Sequence, residues 1–194
     1  MSSSTSEQTA ELRRLLRADA WRLRCLEVLR DVAPHAWIGA GFVRAAVFDA
    51  LCGVTTELGD IDVIYFGDGS RQTEAIIEAA LAQRVPEAPW SVHDQARMHL
   101  KTGDAPYTSV EHAITHWPEV AAAVAVRLGE EIDVLAPLGL DDLFAVRIRP
   151  TPHMASKPGG MDVFRGRIEA KRWSERWPGV EVAHSPSWTT SNSA

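Results

Sequence analysis

The chain has 194 residues, 45% of them hydrophobic, enough for one domain with a sizeable core. Its formal charge of -6 supplies no overall basic field for a polyanion, which argues against a nucleic-acid partner and for a small molecule or a protein. No apolar run reaches the roughly 20 residues of a membrane helix, and the polar start MSSSTSEQTA lacks the apolar segment of a secretory leader, so a cytoplasmic protein without membrane attachment is expected.

Residues 1–9 and 184–194, rich in Ser and Thr, read as tails around a single domain over 10–183. Leu12, Leu15, Leu16, Leu23, Leu26 and Leu29 recur at helical spacing, with Asp19 as a cap between two helices. The arginines of the opposite face read as solvated. Cys25 and Cys52 sit among apolar neighbours without metal-ligand spacing and read as buried thiols. After Pro34, AWIGAG reads as a strand running into a glycine turn, and Phe42 to Leu51 as a helix ending at Gly53. DIDVIYF, from Asp60 to Phe66, alternates as a strand does, and a helix is predicted from Thr73 to Arg84. Trp90 to Leu100 reads as a strand with Gln95, Arg97 and His99 on one polar face. Ser109 caps a helix running to Val120, and Val124 to Leu135 is strand-like on both sides of Gly129. GLDDLFA is a short helix, AVRIRP a strand-like run, and Met161 to Trp177 one amphipathic helix.

Asp60 and Asp62, two apart on a strand, project from one face about 7 Å from each other. Flanked by Ile61, Val63 and Ile64, such carboxylates need a cation or must stay partly protonated. Mg2+ (or Mn2+) suits them, because it needs only one or two protein carboxylates when phosphate oxygens complete its shell. Upstream, Gly39-Ala40-Gly41 lets backbone N–H groups approach phosphate oxygens at a helix start. Taken alone, the turn reads as a tight strand-to-helix connection ahead of a phosphate seat. It is not a GxGxxG loop, since Arg44 stands where the third glycine would be. His112 and His116 have i, i+4 spacing but lack the intervening Glu and third ligand of a zinc site. Arg147, Arg149 and Lys157 are candidates for phosphate contact, whereas Lys171 and Arg172 read as a solvated helix face.

The order Ile38-Gly39-Ala40-Gly41-Phe42-Val43-Arg44, a helix to Gly53, then Asp60-Ile61-Asp62-Val63 resembles the polymerase-β-type nucleotidyltransferase superfamily. With QARMHL, HWPEVAAAVAVRL, APLGLDDLF and IRPTP, the chain from Trp21 to Val182 is similar to a bacterial family of small nucleotidyltransferase-like proteins. The resemblance implies an α/β (α+β) fold, a mixed sheet with flanking helices, and transfer of a nucleoside monophosphate from an NTP to a small-molecule or protein acceptor. It implies nucleotide contacts from Gly39, Ala40, Gly41 and Arg44, with Arg97 a further candidate. It also implies metal ligation by Asp60 and Asp62 and a third carboxylate on a later strand, for which Asp133 is the choice and Glu131 the alternative. Ala40 and Ala45 depart from the pattern of the active turn, which keeps a nucleotide-binding module without turnover as the competing expectation.

Overall fold

A computed structural model describes residues 3–183. Helices α1 (Ser3–Ala18) and α2 (Ala20–Val32) are separated by Asp19, whose carboxylate accepts the Arg22 N–H at 2.9 Å as the cap of α2. Of the tail expected over residues 1–9, residues 3–9 belong to helix α1 and residues 1–2 lie outside the described residues, as does the expected C-terminal tail over 184–194. Leu12, Leu16, Leu26 and Leu29 are the apolar stripe of this pair and are fully buried.

Strand β1 (Trp37–Gly39) turns at Ala40 into α3 (Gly41–Cys52), which Gly53 terminates in the left-handed conformation. Strand β2 (Ile61–Tyr65), helix α4 (Arg71–Arg84, capped by Ser70) and β3 (Trp90–Asp94) form a parallel crossover unit. The strand expected to reach Leu100 stops at Asp94, and Gln95–Thr102 is helix α5. The cause is local. The Asp94 carboxylate accepts the N–H groups of Ala96, Gly67 and Gly69 at 2.7–2.9 Å, capping the helix and tying down the loop after β2.

A short α6 (Val110–Ile114) carries the expected Ser109 cap but ends well before Val120, and a 3-10 turn (Val120–Ala122) precedes the hairpin of β4 (Ala125–Leu128) and β5 (Ile132–Leu135). The remainder is α7 (Asp141–Phe144), β6 (Arg147–Ile148), α8 (Pro152–Ser156), α9 (Gly160–Lys171), α10 (Trp173–Arg176) and β7 (Glu181–Val182), with β6 and β7 pairing as a small parallel sheet. The single helix expected from Met161 to Trp177 is broken at Arg172, which takes φ 49. That break turns Trp173 and Trp177 inward, and both are fully buried.

The main sheet is mixed, in the order β3-β2-β1-β4-β5. Ile38, Val63, Val92 and Val126 pack from one face into the large core shared with α1 to α4. Ile64 and Ala125 belong to a smaller cluster with Ile114 on the other face, against which Trp37, Trp117 and Leu135 pack. Asp62, one residue from Val63 and two from Ile64, points to this second face. Among the described residues no helix is long and apolar enough to cross a membrane.

Candidate active site

The glycine turn and the aspartate pair meet because β1 and β2 are antiparallel neighbours. Ile38 lies opposite Val63, so Gly39 faces Asp62 across the ladder. A Cβ on Gly39 would stand 2.7 Å from the Trp117 ring and 3.1 Å from the Val124 carbonyl oxygen, so the glycine is required for side-chain packing as much as for any ligand. Ala40 has φ 51 and ψ -120, a conformation that favours glycine, and its N–H donates to the Val124 carbonyl at 3.1 Å. That N–H is therefore committed to the sheet edge. Gly41 opens α3 with nothing within 4 Å of where its Cβ would be, and no side chain caps the helix. The first-turn N–H groups thus face a cleft with their positive dipole end.

This cleft encloses about 100 Å³ and is lined by Ala40, Gly41, Arg44, Asp60, Asp62 and Glu119, with Arg167, Lys171 and Arg176 from the C-terminal helices. Asp62 is half-buried, and burial pushes its carboxyl above the ordinary value, with the charge of Asp60 adding to it and His93, Lys171 and Arg167 opposing. Neither the Asp60 nor the Asp62 carboxylate has a hydrogen-bond or ion-pair partner among the described residues. Other buried acids are engaged: Glu74 by Arg97, Asp94 by backbone N–H groups, Asp142 by Arg147 and Arg149, and Glu119 by Arg44 and Arg167.

Arg44 is 6% exposed. Its guanidinium lies 3.5 Å from Glu119 and 5.5 and 5.7 Å from the ring centroids of Trp173 and Trp177, and its Nε has no partner. Burial lowers its pKa, opposed by Glu119. Arg167 makes a two-pronged contact with the same Glu119; burial works against its charge, but Glu119 outweighs this and the net shift is upward. Glu119 is fully buried and so orients two arginines toward the cleft.

The other expected site residues lie elsewhere. Asp133 is on β5, paired with Arg127 on β4 at 2.9 Å, and β4 and β1 separate it from the strand of Asp62. Three strand spacings amount to about 14 Å. Glu131 pairs with Arg13 at 2.9 Å. Arg97 is on α5 rather than a strand and turns to Glu74, away from the cleft. His112 and His116 meet edge to face with ring centroids 4.7 Å apart, and no cluster of three or more metal-binding side chains occurs among the described residues. Lys157 is held by Asp104 at 2.6 Å. Arg172 pairs with Glu175, whereas Lys171, expected on the same solvated face, lines the cleft. Sequence reasoning missed Glu119, Arg167, Lys171, Arg176 and His93. Arg167 and Lys171, one helical turn apart, carried a usable signal; Glu119 carried none.

The profile of a family described as nucleotidyltransferase matches residues 30–182. A solution structure described as revealing a CCA-adding enzyme head domain is similar over 90% of this chain and 95% of that one, at 29% identity and TM-score 0.79. A CCA-adding enzyme in an apo form matches at 14% identity and TM-score 0.52, over 88% of this chain and 42% of that one. A tRNA-processing enzyme matches at 19% identity and TM-score 0.50, over 82% and 44%. The chain thus spans less than half the length of these last two. No curated protein matches the sequence. These neighbours correct the expectation that charge argues against a nucleic-acid partner, because they are described as enzymes acting on tRNA or adding CCA. The net charge of -6 conceals a local group of Arg44, Arg167, Lys171 and Arg176.

Proposed function

Because the chain belongs to the nucleotidyltransferase family, we propose that it moves a nucleoside monophosphate from a nucleoside triphosphate to a hydroxyl acceptor and releases pyrophosphate. The observation that carries this reading is the unpaired Asp60 and Asp62 beside the uncapped start of α3, with buried Arg44 and its free Nε in the same cleft. Asp60 and Asp62 fit a hard divalent cation, since burial and the neighbouring Asp60 disfavour the charge of Asp62 and no protein cation is paired with either carboxylate. Magnesium or manganese held there would supply Lewis-acid charge to phosphate oxygens and acidify the attacking hydroxyl.

The first-turn N–H groups of α3 hold the outer phosphates, and Arg44, Lys171 and Arg176 offset the charge that builds on the leaving pyrophosphate. The acceptor oxygen bonds to the α-phosphorus as the bond to the pyrophosphate oxygen breaks, and the hydroxyl proton leaves to solvent. Glu119 is a positioning residue, acting through Arg44 and Arg167. Asp133 has no role in this scheme, because its carboxylate is held by Arg127.

The test supplies labelled triphosphate with magnesium to the full chain and offers both tRNA 3′ ends and small hydroxyl compounds. The wild type is expected to label an acceptor, and Asp60→Ala with Asp62→Ala to lose about a hundredfold or more; undiminished transfer by the double variant would refute the assignment. One observation favours a second reading, a binding module without turnover: the Ala40 N–H is committed to Val124 and unavailable to phosphate. Magnesium-dependent triphosphate binding without pyrophosphate release, across all acceptors, would select it.

A further inference from the structure

The cleft does not end at Asp62. It continues along Ile64, His93 and Gln95, and then opens past Gln95, Met98, Trp117 and Pro118 into a chamber of about 390 Å³. That size lies in the range of ligand pockets, roughly 300–1,000 Å³. Its walls are mainly apolar, with Met98, Tyr107, Trp117, Met154 and Val163 among them. The polar groups of the far wall are fixed by one another. Tyr107 donates to Asp104 at 2.7 Å, and Lys157 donates to the same carboxylate at 2.6 Å. Gln95 is buried, donates to the His93 carbonyl at 3.3 Å, and has no partner for its amide oxygen among the described residues. The missing side chain at Gly39 lets the Trp117 indole close against the turn, so one glycine shapes both the turn and the chamber entrance.

We propose that this chamber binds a planar heteroaromatic ring of the nucleobase kind, carried by the acceptor next to its attacking hydroxyl. Thioether and aromatic groups such as Met98, Met154, Tyr107 and Trp117 stack a ring without needing charge, and the Gln95 amide meets a ring edge with a hydrogen bond. The position follows from the transfer reading above, on which this inference rests. In an in-line displacement the leaving pyrophosphate and the attacking oxygen lie on opposite sides of the reacting phosphorus. Arg44, Lys171 and Arg176 line the cleft at Asp62 and none of them lines its continuation past His93 or the chamber, which assigns the pyrophosphate to their end and the acceptor to the chamber.

The experiment is calorimetry on the full chain in magnesium with three probes: inorganic tripolyphosphate, the four ribonucleoside triphosphates, and a short single-stranded RNA with a free 3′ hydroxyl. Val163→Trp fills the chamber from a position that is 55% exposed, and Met98→Ala strips one wall. V163W is expected to weaken RNA binding tenfold or more and M98A severalfold, with tripolyphosphate and triphosphate binding unchanged in both. Unchanged tripolyphosphate binding also certifies that the variants are folded. A loss confined to the triphosphates would place the donor's base in the chamber and overturn the acceptor assignment. No RNA binding by the wild type, or no effect of either variant on any probe, would overturn the chamber as a ring site. If wild-type tripolyphosphate binding is absent or indifferent to Asp60→Ala and Asp62→Ala, the transfer reading itself fails and the chamber assignment with it.

Discussion

At Gly39 and Ala40 two adjacent backbone positions make opposite demands. Gly39 has no room for a Cβ, so Gly39→Ala is expected to push Trp117 outward and cost about 1–3 kcal/mol, as overpacking does, measured by urea denaturation. Ala40 has room but the wrong conformation, since φ 51 disfavours a side chain. Ala40→Gly should therefore raise stability by about 1 kcal/mol despite the added freedom of the unfolded chain; a loss of stability would show that the turn is not strained. The identity of these small residues was plain in the sequence, but whether they served a ligand or a tryptophan was not. Trp117 is 78 positions from Gly39, and nothing local links the two.

Among elements, the decisive contact is the seating of α9 and α10 over the cleft. Glu119, just before the 3-10 turn, is fully buried and holds buried Arg44 of α3 and half-buried Arg167 of α9. Replacing it by alanine leaves buried Arg44 and half-buried Arg167 without a counter-charge, and the expected cost is about 3–5 kcal/mol. Glu119→Gln keeps the shape and hydrogen-bonding capacity, so it should cost less yet still weaken triphosphate binding through Arg44 and Arg167; equal stabilities for the two variants would contradict the charge argument. The helix expected from Thr73 to Arg84 and found at Arg71–Arg84, the caps at Asp19 and Ser109, and the hairpin about Gly129 were legible because caps, turns and periodicity act within a few residues. The end of β3 was misread because Asp94 caps α5 in a run whose alternation of apolar and polar residues also suits a strand. The break at Arg172 was missed for want of a glycine or proline to announce it.

For the whole molecule, the pH profile of stability has two limbs. Asp104 is held well below the ordinary carboxylate range: burial opposes its charge, but Lys157, Thr102 and Tyr107 outweigh that. Its folded pKa lies under the unfolded one, so its contribution is complete above the ordinary carboxylate pKa and is lost as pH falls toward the folded value. Cys25 is the reverse case, pushed up from 9.0 to about 12, chiefly by burial. Its contribution is complete below pH 9 and is lost as pH rises toward 12. Urea midpoints are expected to be flat near neutrality and to fall at both ends, with Asp104→Asn shallowing the acid limb and Cys25→Ala the alkaline one; limbs unaltered in the variants would assign the losses to other groups. By itself the sequence determined the strand-turn-helix, the aspartate pair and the nucleotidyltransferase resemblance, because each is written in contiguous residues whose spacing sets their direction. Tertiary structure alone decided which charges share the cleft. It sent Asp133, Glu131 and Arg97 to partners of their own and brought Glu119, Arg167, Lys171 and Arg176 to Asp62, because ion pairs form between residues distant in the chain and sheet order fixes which of them meet.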